Sequence, residues 1–220
     1  MFRHNLLKFD NIDQINTDHG RFYKTPEGNL YPSVTTVIGS MSDKSWLEEW
    51  KSKIGAEEAA RVSARATIRG SKVHDLCERF VSNEDIDFDS LDPFNSIMFY
   101  QLKKVISERI DDVRAIEARL YSHKLKVAGS VDLIANFDNK LSVIDYKTSN
   151  KIKRIEDIEG YFIQTAMYSM MLYEMTGLIA NQLVVLICVE DSNHAQIFTQ
   201  NISDWIKPTM KMCKDFHSKK

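Results

Sequence analysis

The sequence predicts a mixed α/β (α+β) domain. Three observations carry that prediction. An Ala-, Glu- and Arg-rich helical stretch runs from Ala56 to about Val81; two β-rich runs, 129–137 and 140–146, are joined across Asp138-Asn139; and a Met- and Tyr-rich helix, 158–175, separates them from a second pair of strands. At 220 residues the chain is long enough for one domain with a sizeable core. It is read as a single domain, 1–220, with an N-terminal hairpin and helix (1–55), a core (56–205) and a C-terminal helix (206–220).

The elements follow in order. Phe22-Tyr23 and Leu30-Tyr31 flank Pro26-Glu27-Gly28-Asn29, which predicts a hairpin. Ser33-Val34-Thr35-Thr36-Val37-Ile38 follows Pro32 and reads as extended because it is rich in β-branched residues. Ser42 or Asp43 is placed to cap a helix carrying Trp46, Leu47 and Trp50, and the two tryptophans, four apart on one face, are expected in the core, with base stacking by an exposed ring as the alternative. Gly70 is a candidate break in the helix that follows. Asp92-Pro93 starts the next helix by the N-cap and N1 rules, with Phe94, Ile97, Met98, Leu102, Val105 and Ile106 at helical spacing. A strand is expected over 113–121, before the hairpin. After the Met-rich helix, whose Met167, Met170, Met171 and Met175 have core-like spacing, Gly177 is a natural stop. Strands over 182–190 and 195–202 come next. Ser203 then caps a last helix, which Pro208 should kink or restart.

Composition excludes several classes. A hydrophobic fraction of 43% with 27% charged residues is incompatible with a wholly disordered chain. The longest aliphatic run, 183–189, is far too short to span a bilayer and reads as a buried strand. The first ten residues lack the continuous apolar segment of a secretory signal, and no Arg-rich presequence is apparent. A net charge of −2 argues against indiscriminate polyanion binding but leaves room for a local basic groove. Cys77, Cys188 and Cys213 form no CxxC pair, so a disulfide framework or thiolate zinc site is not expected and a reducing compartment fits.

The chemistry concentrates on the hairpin around Asp138-Asn139. If those residues form a two-residue turn, Phe137 faces Lys140 and Asp132 falls opposite Asp145, with Cβ atoms roughly 5 Å apart. Two carboxylates held together beside apolar neighbours call for a countercharge, and a divalent cation with a preference for oxygen ligands suits them. Lys147 shares a face with Asp145, two residues on, and Glu117 on the preceding strand is a third candidate oxygen ligand. A one-residue slip would instead send Asp132 to the opposite face, and two solvated aspartates beside a surface lysine are the plain alternative.

At these residues the chain resembles the PD-(D/E)xK nuclease superfamily, within it the RecB-like exonuclease branch. The matching text is Gly129-Ser130-Val131-Asp132 and Ile144-Asp145-Tyr146-Lys147-Thr148-Ser149, with Val131 where the family often has proline. Pro32-Ser33-Val34-Thr35, then Gly70-Ser71-Lys72-Val73-His74 with Glu78, and Gln164 with Tyr168 match further motifs in family order. The resemblance implies a restriction-endonuclease-like core with a central mixed sheet flanked by helices. It also implies a DNA exonuclease that prefers single-stranded ends, uses Mg²⁺ or Mn²⁺ and leaves a 5′-phosphate. Asp132, Asp145 and Lys147 would be catalytic. His74, Glu117, Asp132, Asp145 and the carbonyl of Tyr146 would hold metal, and Lys147 would orient the attacking water. Ser33, Thr35, Ser71, Thr148, Ser149, Lys151, Gln164 and Tyr168 would contact DNA, with Tyr168 supporting Gln164 or stacking on a base. A monomer in a bacterial or phage-infected cytosol, off the membrane and alongside replication, recombination or repair proteins, is the expected setting. A flap or structure-specific endonuclease on the same site, and a non-catalytic DNA-binding module, remain as alternatives.

Overall fold

The computed structural model describes residues 1–219; Lys220, the end of the expected C-terminal helix, lies outside the described residues. Strands β1 (Asp13–Thr17), β2 (Gly20–Lys24) and β3 (Leu30–Pro32) form a small antiparallel sheet. The expected hairpin is β2–β3, with Tyr23 opposite Tyr31. Strand β1 is an addition. All five of its residues are exposed, so no apolar alternation marks it in the sequence.

The run 33–38 is helical, not extended. Ser33 is an N-cap whose Oγ accepts the Thr36 N–H at 3.0 Å, and α1 (Val34–Met41) follows. A satisfied cap outweighs the small helix penalty of β-branched residues. Helix α2 (Ser45–Ile54) begins after Lys44 with no side-chain cap; Ser42 ends α1, and Asp43 accepts the Ser45 N–H at 2.8 Å. No residue of α2 is buried and Trp46 is 64% exposed, so the expected tryptophan packing does not occur. The helix lies outside both cores. Helix α3 (Ala56–Val81) runs unbroken through Gly70. A mid-helix glycine costs only about 1 kcal/mol, and buried Val73, Leu76, Cys77 and Val81 anchor the helix beyond it. Helix α4 (Pro93–Arg109) starts as expected, with Asp92 accepting the Phe94 N–H at 3.0 Å.

Five strands then form a mixed sheet in chain order: β4 (Ile110–Ser122), β5 (Val127–Phe137), β6 (Lys140–Ser149), β7 (Gln182–Val189) and β8 (Gln196–Asn201). Only the β6–β7 pair among them is parallel, and α5 (Glu159–Thr176) makes the crossover. Gly177, at φ +75°, ends α5 as expected. Asn201, not Ser203, caps α6 (Ile202–Ser218), accepting the Ser203 N–H at 2.9 Å, and the helix continues past Pro208. Asparagine caps at least as well as serine, and Asn201 already stands at the strand end.

Helices cover both faces of the sheet. On one, α1, α5 and α6 pack Val37, Phe162, Met167 and Phe216 toward Val131, Val143 and Val185. On the other, α3 and α4 pack Cys77, Phe99 and Leu102 toward Leu133, Ile144 and Leu186. Two-sided cover explains why β7 reads as a continuous apolar run. All three cysteines are buried and unpaired. Among the described residues no helix is long and apolar enough to cross a membrane.

Candidate active site

The turn between β5 and β6 is the two-residue form. Asp138 and Asn139 have φ of +51° and +62°, the left-handed pair that a type I′ turn requires. Phe137 faces Lys140, and the register holds to Leu133 opposite Ile144. There the paired ladder stops. Asp132 and Asp145 are not a directly opposed pair, as the turn geometry alone predicts; the strands part, and Asp132 Oδ2 accepts the Tyr146 N–H at 2.8 Å. A side chain has taken the place of a main-chain acceptor at the fork.

The other neighbour of β5 is irregular at the same level. Ile116 pairs with Leu133 and Ala118 with Val131, which puts Glu117 across from Asp132. Glu117 has φ +45°, a conformation costing of order 1–3 kcal/mol for a non-glycine residue. Face alternation changes there. Ala115 and Leu120 belong to the α5 side although their numbers differ in parity, and so do Val131 and Ile134. Local strain therefore aims two acids at one place.

His74 completes the group from α3. One ligand atom each from His74, Glu117 and Asp132 lie within 4.8 Å of one another, and His74 Nδ1 is 3.5 Å from Asp132 Oδ2. Ser130 Oγ donates to Glu117 Oε2 at 3.0 Å. Burial works against a charged His74, but the Asp132 carboxylate overrides it and holds the imidazole up to about 9. Burial, reinforced by Asp132, pushes Glu117 up to about 7 against the Ser130 hydrogen bond. Asp132 resists its own burial and stays below the usual carboxylate range, held there by His74, Lys147 and the Tyr146 N–H.

Asp145 sits beside this trio. Lys147 Nζ is 2.5 Å from its Oδ2, and the ammonium also lies 5.1 Å from the Tyr161 ring centroid. Both Asp145 oxygens are buried; Oδ2 carries the Lys147 contact, and Oδ1 has no hydrogen-bond partner among the described residues. Burial pushes Asp145 up to about 6, with Lys147 opposing and Asp132 adding to the rise. Lys147 is raised, because Asp145 and Asp132 outweigh its desolvation. A cluster of carboxylates and an imidazole, with one buried carboxylate oxygen still unpartnered among the described residues, is a donor set that fits a divalent cation.

His74, Glu117, Asp132 and Lys147 open onto a cavity of about 380 Å³ that Ser33, Thr35, Ser71, Gln164 and Tyr168 also line, while Asp145 lies buried behind Lys147. Thr148 stands just beyond, near Gly70. Ser149 is turned inward: its Oγ donates to the Lys151 carbonyl at 2.6 Å and accepts the Lys151 N–H at 3.2 Å, closing a loop from which Lys151 projects exposed. Tyr168 lines that cavity but is only 3% exposed. The Tyr146 ring is buried edge-on to His74, with centroids 6.0 Å apart. The sequence reading gives no site role to Ser130, although it stands in the matched Gly129–Asp132 text, nor to Tyr161, Arg21 or Tyr23; all line the same cavity except Tyr161, which flanks Lys147. Tyr161 was legible, being three residues before Gln164 on one helix face. Nothing local marks Arg21 or Tyr23.

A profile of the PD-(D/E)XK nuclease superfamily matches residues 48–205. Among characterised proteins, the human "Mitochondrial genome maintenance exonuclease 1" is 26% identical over 132 residues, which cover 57% of this chain and 38% of that protein. The Xenopus tropicalis protein of the same name is 28% identical over 145 residues, covering 62% and 42%. The chain thus spans about two fifths of the length of these relatives. The crystal structure of SSO0001 aligns with 86% of this chain and 75% of its own, at 16% identity and a TM-score of 0.44. PD-(D/E)XK nucleases use divalent metals, as the His74, Glu117 and Asp132 group would allow. The profile takes in well over half of the sequence, including every member of the acidic cluster, and the chain belongs to the PD-(D/E)XK nuclease superfamily.

Proposed function

We propose that this nuclease is a DNA exonuclease that hydrolyses single strands from an end and depends on Mg²⁺ or Mn²⁺. The observation that carries the reading is the convergence of His74, Glu117, Asp132 and Lys147 on one open cavity, with Asp145 buried behind Lys147. His74, Glu117 and Asp132 would hold the cation, with Asp145 and the Tyr146 carbonyl assigned to the same ion. The imidazole nitrogen shifts the preference from Mg²⁺ toward Mn²⁺. A divalent cation supplies Lewis acidity, which draws charge from the phosphate and makes water a better nucleophile.

The protein's own groups do the rest. Lys147, fixed by Asp145, presents N–H donors to the attacking water and to the charge that develops on the phosphoryl oxygens. Ser130 steers Glu117, and the Tyr146 N–H steers Asp132. Ser33, Thr35, Ser71 and Gln164 offer hydroxyl and amide hydrogen bonds to the strand in the cavity. Three buried free thiols suit a reducing cytosol.

The test uses end-labelled single strands, duplexes and covalently closed single-stranded circles with Mg²⁺, Mn²⁺ or EDTA. Linear single strands should shorten only with metal, and circles should persist. Circles cut as fast as linear strands would establish an endonuclease instead. Unchanged DNA in every lane, with folded protein, would leave a DNA-binding module.

A further inference from the structure

A second cavity, of about 430 Å³, lies between α3 and α4 and continues from the first along α3. Arg69 lines one cavity and the next residue, Gly70, lines the other. Arg65 and Arg69 come from α3, Phe94 and Asn95 from α4, and Asn150 and Glu190 from the loops that follow β6 and β7. It therefore opens at the same end of the sheet as Lys147.

Its polar groups are incompletely used. Asn95 is 8% exposed, and its amide oxygen has no partner among the described residues, while its amide nitrogen donates to Asp92. Arg69 gives Nη1 to Glu190 at 3.1 Å, yet its buried Nε is unpartnered among the described residues. Arg65 is exposed. Phe94, 41% exposed, supplies an aromatic face at the rim. An exposed arginine beside an accessible aromatic ring in a groove is a combination that suits unpaired nucleotides, the arginine for phosphate and the ring for stacking.

We propose that this groove is a subsite for the stretch of single strand next to the scissile bond, with Arg65 on a phosphate and Phe94 stacked on a base. Along α3, Arg69 is about 7 Å and Arg65 about 13 Å from the level of His74, which places the subsite one or two nucleotides from the reacting phosphate. The inference rests on the nuclease reading, but its test does not need turnover.

Binding of a fluorescent ten-nucleotide single strand is measured by anisotropy in EDTA, across a salt series, for wild type, Arg65→Ala, Phe94→Ala and, as a charge control on the opposite face, Lys211→Ala. Arg65→Ala should weaken binding roughly fourfold at 0.15 M salt and flatten the log–log salt slope by about 0.7. Phe94→Ala should weaken it roughly tenfold with the slope unchanged. Lys211→Ala should bind as wild type. Wild-type affinity in both groove variants, an equal loss in Lys211→Ala, or no binding by wild type would overturn the subsite. Hydrolysis of bis(p-nitrophenyl) phosphate by wild type with Mn²⁺ tests the reacting centre separately; its absence would sink the proposed function while leaving the affinities to judge the groove.

Discussion

The Tyr146 N–H donates to Asp132 Oδ2 at 2.8 Å, across the point where β5 and β6 stop pairing. One carboxylate oxygen is thereby fixed by the backbone, and the Asp132 side chain cannot swing without orphaning a main-chain donor. Asp132 is accordingly expected to hold its position whether or not a cation is present. Glu117 is different: among the described residues its one side-chain hydrogen bond comes from a hydroxyl, Ser130 Oγ.

Ser130→Ala should therefore weaken metal binding about 10–100-fold, the usual effect of removing a partner that orients a ligand. Calorimetric titration with Mn²⁺ checks this. An unchanged Kd would show that Glu117 needs no help from Ser130.

Lys147→Ala should lower turnover about 10²–10³-fold while the cation still binds, since the lysine lies outside the ligand trio. It should also destabilise the fold at neutral pH, by about 3–5 kcal/mol for a buried partner left unpaired. The loss should be smaller at pH 5, where Asp145, already raised to about 6 beside Lys147, takes up a proton. Turnover like wild type, or a melting-point loss independent of pH, would contradict the pairing.

The metal-free protein should lose stability as pH rises from about 6 to 9. His74, held up to about 9, binds its proton more tightly folded than unfolded, so its stabilisation is complete below 6.5 and vanishes as pH passes 9. Glu117, raised to about 7, acts in the same direction between 4.5 and 7. Protons and cations compete for these atoms, so the melting-point gain from added Mn²⁺ should grow over the same range. Thermal melts at a series of pH values, with and without Mn²⁺, decide it; a gain that is constant or shrinks with pH would be the wrong sign.

Gly129→Ala should destabilise by about 1–3 kcal/mol. Its Cβ would stand 2.8 Å from the Tyr168 hydroxyl and 3.0 Å from Tyr168 Cε1, and that ring is buried. Tyr168→Phe in the same background should recover part of the loss by removing the nearer contact. A double-mutant cycle by denaturant unfolding reads the coupling, and strict additivity would refute the clash.

The parts of the site that are local in sequence were legible. Asp138-Asn139 is a turn signal by its own chemistry, and it fixed the register that brings Asp132 and Asp145 to one level of the sheet. The fork beyond Leu133 was not, because it depends on a side chain of β5 satisfying a backbone group of β6. His74 and Gln164 came from the family likeness, since a helical histidine or glutamine carries no spacing signal of its own. In the fold, Ser33 was misread because β-branched neighbours and a capping hydroxyl pull in opposite directions, and the cap won. The core placement expected for Trp46 and Trp50 fails, because helical spacing reports a shared face, not what covers it; the exposed Trp46 leaves the stacking alternative.

The tight loop at Asp138-Asn139 has a reach well beyond its size. Along β6 it is six residues from Asn139 to Asp145, about 20 Å. Surface loop tips ordinarily accept an added or deleted residue. Here such an indel would rotate β6 by one position against β5 and point Asp145 and Lys147 into the opposite layer. The distal hairpin end is thus the gauge of the hydrolytic centre, and a length change there should silence the enzyme while every residue that touches substrate remains in the chain.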